Sequence, residues 1–330
     1  MLTKRQNFLE TIRGGKPDRY VNQFEAFAIQ RETPFSLRNP SPARGQLNVV
    51  DAWGVTRSWP EGTPGPFPVH DDAHIVIKDI TRWRDFVTPP NIIFPDEEWA
   101  PYVKKAQAVD RSEYFVTAMV APGVFERCHY LMGISNCLIN FYEEPECMHE
   151  LIDMLTDWEL RWAAELCKHL KPDAILHHDD WGSRQTTFLS PEMFREFFLP
   201  AYKKIYGYYK THGVEVIVHH SDSYAATLVP SMIEMGIDVW QGCMRSNNIP
   251  QLLKTYGGKI SFMCGIDNAD VDREDWTPEL VKAAVHQAIE EGSRLYFIPC
   301  AAGGGPGSCY PGVYECITSE IEQINRNLQN

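Results

Sequence analysis

From residue 112 to the C-terminus the chain alternates short apolar runs with longer stretches of helical periodicity. Tyr114–Val120, Ala174–His178, Val214–Val218, Ile237–Trp240, Ile260–Met263 and Arg294–Ile298 read as strands. Between them lie helical segments with apolar residues three and four apart, such as Met148, Leu151, Leu155, Trp158, Trp162 and Leu166 behind the Glu144-Pro145 start. Ser190-Pro191 caps another helix, which Pro200 should kink. Strands apolar on both faces belong to a parallel sheet covered by helices, so the class is α/β. A strand at Val21–Phe27 and about one more within 50–77 bring the count to roughly eight. The expected architecture is a (β/α)8 TIM barrel with an irregular, insertion-rich N-terminal segment, as one domain over residues 1–330. A doubly wound open sheet is the alternative. No Gly-x-Gly-x-x-Gly follows the first strand and no Gly-x-x-x-x-Gly-Lys-Ser/Thr occurs, which argues against nucleotide-binding forms of that alternative.

Charge and cysteines narrow the function classes. A net charge of −13 disfavours nucleic acid and anionic membranes, which bind basic patches. No apolar stretch approaches the ~18 residues of a membrane span, and the N-terminus lacks a signal-peptide core. The nine cysteines are odd in number and show no Cys-x-x-Cys spacing, as expected of a cytoplasmic protein with reduced thiols.

In a parallel barrel the chemistry gathers at the C-terminal strand ends. Those ends carry Asp179-Asp180, His219-His220-Ser221-Asp222, Cys264 and Cys300, with Glu25 near the end of the first strand. His220, Cys264 and Cys300 form a ligand set suited to Zn2+, with Asp222 as a fourth ligand or a partner of His220. The competing reading makes His220 a hydrogen-bonded barrel histidine and both cysteines core filler. Adjacent strand-end aspartates cannot both face inward. One of Asp179 and Asp180 should line the mouth while the other caps a loop or binds a backbone amide. His177-His178 just before them reads as interior structure rather than as ligands.

Asp179-Asp180-Trp181-Gly182, Ser190-Pro191-Glu192-Met193-Phe194-Arg195-Glu196-Phe197 and Pro200 resemble the middle segment of the uroporphyrinogen decarboxylase superfamily. Phe141–Glu146, Val218–Asp222, Glu234–Asp238 and Cys264–Asp267 continue the resemblance in order, over roughly residues 110 to 325. Two branches are implied. True decarboxylases work without metal and grip substrate carboxylates through an arginine-rich N-terminal stretch, whereas Val21–Phe27 contains no arginine. The other branch comprises zinc- and corrinoid-dependent methyltransferases. Its thiol-methylating members carry His-x-Cys and a later Cys; here His220 and Cys300 match, and Asp222 replaces the first Cys. Asp51-Ala52-Trp53-Gly54-Val55 resembles the branch linked to aryl methyl ether demethylation.

The resemblance implies methyl transfer from a small methylated donor, such as an aryl methyl ether, to the cob(I)alamin of a separate corrinoid protein. Cobalamin is then carried by that partner, zinc is held by His220, Cys264 and Cys300, Asp179 or Asp180 orients the donor, and Glu25 positions a ring hydroxyl. A homodimer is compatible with this reading. The alternatives are a metal-free decarboxylase and a methylcorrinoid:thiol methyltransferase.

Overall fold

The computed structural model describes residues 1–63 and 65–328. In chain order it begins with α1 (Lys4–Ile12), β1 (Phe27–Gln30), β2 (Val49–Val50), β3 (Thr56–Ser58), β4 (Phe67–Pro68) and α2 (Asp96–Gln107). There follow β5 (Phe115–Val120), α3 (Val124–Met132), α4 (Ile134–Glu143), α5 (Pro145–His169), β6 (Ala174–His178), α6 (Pro191–Phe197), α7 (Leu199–Thr211) and β7 (Val216–His220). The chain continues through α8 (Val229–Met235), β8 (Val239–Gln241), α9 (Ile249–Tyr256), β9 (Ser261–Ile266), α10 (Asn268–Val271), α11 (Pro278–Glu291), β10 (Phe297–Ala301) and α12 (Val313–Leu328).

The helices follow local chemistry. Pro145 opens α5 where a missing N–H is harmless, and Met148, Leu151, Leu155, Trp158, Trp162 and Leu166 bury one stripe. Each such side chain contributes about 2 kcal/mol of burial. The Ser190 side chain caps α6, accepting a hydrogen bond from the Met193 amide at 3.2 Å. The expected break before Pro200 appears at Phe198, which separates α6 from α7.

Seven parallel strands pair in the order β1-β5-β6-β7-β8-β9-β10. The eighth strand expected within 50–77 does not join them. Residues 49–68 contribute a separate antiparallel sheet, β2-β3-β4. β1 also begins at Phe27, where the sequence suggested it would end, because Asn22 to Phe27 are held in tight turns by Glu25 N–Asn22 O and Phe27 N–Phe24 O hydrogen bonds.

The sheet curls around an inner cluster of Phe115, Ala174, Leu176, Val216, Val218, Val239, Met263 and Ile298, capped by Phe8, Val21 and Ala26. The N-terminal segment also ties itself to β10. Thr11 accepts from the Tyr296 amide at 3.0 Å, and the Gln23 side chain accepts from Ala301 N at 3.3 Å. The opposite face packs against the helices in a much larger cluster. No helix is long and apolar enough to cross a membrane among the described residues.

Candidate functional site

Strand alternation decides which side chains reach the mouth of the curl. On β6, Ala174 and Leu176 face the inner cluster and Ile175 the outer one; on β7, Val216 and Val218 face inward and Ile217 outward. Continuing the alternation sends His178 and His220 inward and His177 and His219 outward. The register pairs His178 with His220, and their rings stack at 4.5 Å with an 18° interplanar angle.

Each inward imidazole is held by its Nδ1. His178 Nδ1 lies 2.8 Å from Glu126 Oε2 on α3. His220 Nδ1 hydrogen-bonds Gln241 Oε1 on β8. Gln241 cannot be turned the other way, since its Nε2 donates to Ala301 O at 3.1 Å and Ala302 O at 3.2 Å. The His220 proton therefore sits on Nδ1, and Nε2 presents its lone pair. Among the described residues the Nε2 of neither ring makes a hydrogen bond, and Asp180 stands beside them, its Oδ1 accepting from the Asp222 amide at 3.0 Å. One donor atom each from His178, Asp180 and His220 lies within 4.8 Å of the others.

Two imidazoles and a carboxylate, with the far nitrogens pinned by an acid and an amide, suit Zn2+ with room for a further ligand. The acids around the pair shape its electrostatics. Burial opposes charge on His178, but Glu126 and then Asp180 outweigh it and raise its pKa to about 10. Burial and the neighbouring His178 lower His220 to about 4. Burial and the adjacent Asp180 push Asp222 up to about 8.

The outward face is a buried network, in which His177 Nδ1 alone is left without a hydrogen-bond partner among these histidine nitrogens. His177 Nε2 meets Glu159 Oε1 on α5 at 2.6 Å. His219 pairs its Nδ1 with the Tyr206 hydroxyl at 2.8 Å and its Nε2 with Asp179 O at 3.1 Å, and stacks on Trp181 at 3.9 Å. Asp179 also turns outward. Its carboxylate accepts from the amides of Phe125 at 3.1 Å and Glu126 at 2.7 Å, from Trp181 Nε1 at 2.9 Å, and from the Tyr202 hydroxyl. It thereby caps α3 and fixes Glu126 for His178. This approach needs Gly123, because a Cβ there would lie 2.6 Å from the Asp179 Cβ and 2.6 Å from His177 Cε1.

The sequence-derived candidates thus separate. Asp180, Asp222 and His220 meet at the mouth, while Asp179 binds backbone amides. Cys300 faces the same interior, with its thiol 4.0 Å from Gln241 Nε2, but it is not among the three clustered donors. Cys264 is not brought to the site. Met263 faces inward, so Cys264 turns to the outer cluster beside Cys243, and burial raises its thiol well above the usual range. Glu25 precedes β1 instead of following it and accepts from the Asn22 amide at 2.9 Å, so the structure does not place it at the mouth. Residues missed from sequence are His178, Glu126 and Gln241. The His177-His178 and His219-His220 dipeptides were visible, but only register shows that one member of each faces inward.

With this geometry in view, comparison with known proteins places the chain. A methyltransferase structure from Methanosarcina mazei superposes with a TM-score of 0.66 over 98% of this chain and 99% of that one, at 11% identity. A curated relative, methylated-thiol–coenzyme M methyltransferase of Methanosarcina mazei, is 24% identical over 234 residues. That match covers 67% of this chain and 59% of the relative's length. The family model for uroporphyrinogen decarboxylase matches residues 48–302, more than half of the sequence, and the chain therefore belongs to the uroporphyrinogen decarboxylase family.

Proposed function

We propose that the chain is a methyltransferase that moves a methyl group from a small methylated donor, with an aryl methyl ether as the first candidate, to the cob(I)alamin of a separate corrinoid protein. We read residues 1–330 as one domain, a TIM-type barrel whose remaining side is covered by the N-terminal segment. The reading is carried by the cluster of His178, Asp180 and His220 with both Nδ1 atoms pinned.

These three residues would hold zinc, in place of the His220, Cys264 and Cys300 set expected from sequence. Zinc bound there supplies Lewis acidity toward the heteroatom from which the methyl group departs. Nitrogen and oxygen ligands leave the ion harder than two thiolates would, which favours an ether oxygen. Glu126 and Gln241 keep the two imidazoles presented through Nε2. Asp222, beside Asp180 and drawn toward its neutral form, can donate a hydrogen bond to the departing oxygen.

The thiol reading is favoured by one specific observation, the name of the curated relative. Donor panels separate the two. The purified chain, prepared without chelator, is expected to carry close to one zinc per molecule and to transfer methyl groups from methoxylated aromatics to a reduced corrinoid protein. Transfer from or to thiols alone would select the second reading. Less than about 0.2 zinc per chain would overturn the metal assignment, since a buried site of this type retains its ion.

A further inference from the structure

Acids outnumber bases 44 to 31 in this chain, yet Arg57 has no acid partner among the described residues. Arg57 lies on β3 of the small antiparallel sheet, half-buried, with its guanidinium carbon 6.0 Å from the Tyr130 ring centroid. Its Nε is buried without a hydrogen bond, and its terminal nitrogens make no hydrogen bond or ion pair among the described residues. Its neighbour Arg127 deepens the imbalance. Arg127 is 4% exposed, lies over Trp53 at 4.7 Å and Trp158 at 5.6 Å, and leaves Nη1 unpartnered. Asp51 and Glu159 offset the Arg127 charge, whereas Arg57 adds a like charge to it. Two neighbouring guanidinium groups with unmatched donors are costly unless an anion joins them.

The location ties this charge to the site. The Tyr130 hydroxyl donates to Glu126 Oε1 at 3.3 Å, and the other oxygen of Glu126 holds His178. Arg57 is therefore linked to the candidate centre through the Tyr130 and Glu126 side chains.

We propose that Arg57 is an oxyanion subsite and that the small molecule bound at the mouth carries a carboxylate, recognised end-on by the Arg57 terminal nitrogens. The identity of the reacting group rests on the methyltransferase reading; the anion site does not. A planar fork and a carboxylate make two parallel charge-assisted hydrogen bonds, and the Tyr130 ring supplies an apolar edge for the rest of the molecule.

The test compares 4-methoxybenzoate with 4-methoxybenzyl alcohol, which differ in charge but little in shape. Binding to the purified full chain is followed by calorimetry, independently of turnover. The benzoate should bind wild type about 10- to 100-fold more tightly than the alcohol. Arg57→Met should erase that preference, and Arg57→Lys should restore part of it. Zinc content and alcohol binding should be unchanged in both variants. Equal binding of the two compounds by wild type would overturn the subsite, and this outcome needs no variant to fold. A preference that survives in Arg57→Met would also overturn it, by assigning the anion to another cation. An Arg57-dependent preference without methyl transfer from any donor would support the subsite while rejecting the methyltransferase reading.

Discussion

Two neighbouring strands each end in a pair of histidines, and the two members of each pair have opposite lives. His177 and His219 face the helices and are enclosed by Glu159, Tyr206, Asp179 and Trp181. His178 and His220 face the mouth, are held through Nδ1, and leave Nε2, on the mouth side, without a hydrogen bond among the described residues. The residue type is the same and the positions are adjacent, so composition does not explain the difference. Strand parity sends one imidazole into the buried network against the helices, where losing a partner costs stability. It sends the next to an open one, where the free nitrogen is available for chemistry.

The contrast can be broken most severely at His220. His220→Ala is expected to lose bound zinc and to lower methyl transfer by more than about 100-fold, the upper range for residues that only orient a ligand. Its denaturation midpoint in the metal-free state should change little. Retention of stoichiometric zinc would remove His220 from the ligand set.

Next come the residues behind the rings. Gln241→Leu and Glu126→Gln should each weaken zinc affinity by about 10- to 100-fold in competition with a chelator, because they free the tautomer and the ring orientation. Affinities within twofold of wild type would show that the inner pair is not set by these partners.

The outer pair should respond in the opposite sense. Glu159→Leu leaves the His177 ring buried without its acid and should cost about 3 kcal/mol in chemical denaturation, with zinc binding preserved. His219→Phe should cost about 2 kcal/mol by stranding the Tyr206 hydroxyl. Loss of metal in either, at unchanged stability, would erase the distinction between the two faces. Cys264→Ala sharpens the same comparison, since it should keep its zinc.

The smallest effect lies at the far end of the sheet. Burial would raise Glu215, but hydrogen bonds from Arg5 at 2.7 Å and Arg13 at 2.8 Å outweigh it and hold its pKa below 4.5. A depressed carboxylate stabilises the fold above its unfolded pKa, and that contribution disappears as pH falls through the lowered folded value. Stability of Glu215→Gln should therefore decline less steeply below pH 4.5 than that of wild type, with activity at neutral pH unaltered.

Much of the fold was readable before the structure, because parallel strands and amphipathic helices leave strong periodic signals. Boundaries were less readable. β7, β8, β9 and β10 each run to or past the point where the apolar text stops, so His220, Cys264 and Cys300 lie inside strands and not in loops beyond them. Residues at or beyond a strand end are free of alternation, and on that reading all three can point at the mouth. Placing them in strands makes alternation apply, and Cys264 turns away. The shift of β1 removes Glu25 differently, because it leaves that residue in the turns before the strand. The two aspartates part as strand geometry requires, Asp179 onto the amides of Phe125 and Glu126 and Asp180 inward, since adjacent strand residues cannot share a face.

The sequence by itself determined an α/β chain, strand ends rich in His, Asp and Cys, and membership in a family whose motifs survive in order. Periodicity and local capping chemistry carry that information within a few residues of one another. Tertiary structure decided which histidine of each pair is available, that Glu126 from α3 and Gln241 from β8 hold the inner rings, and that Arg57 from a separate small sheet lies over the Tyr130 ring. Those assignments depend on register between strands distant in sequence and on helix docking through Gly123 and Asp179, which no local pattern records.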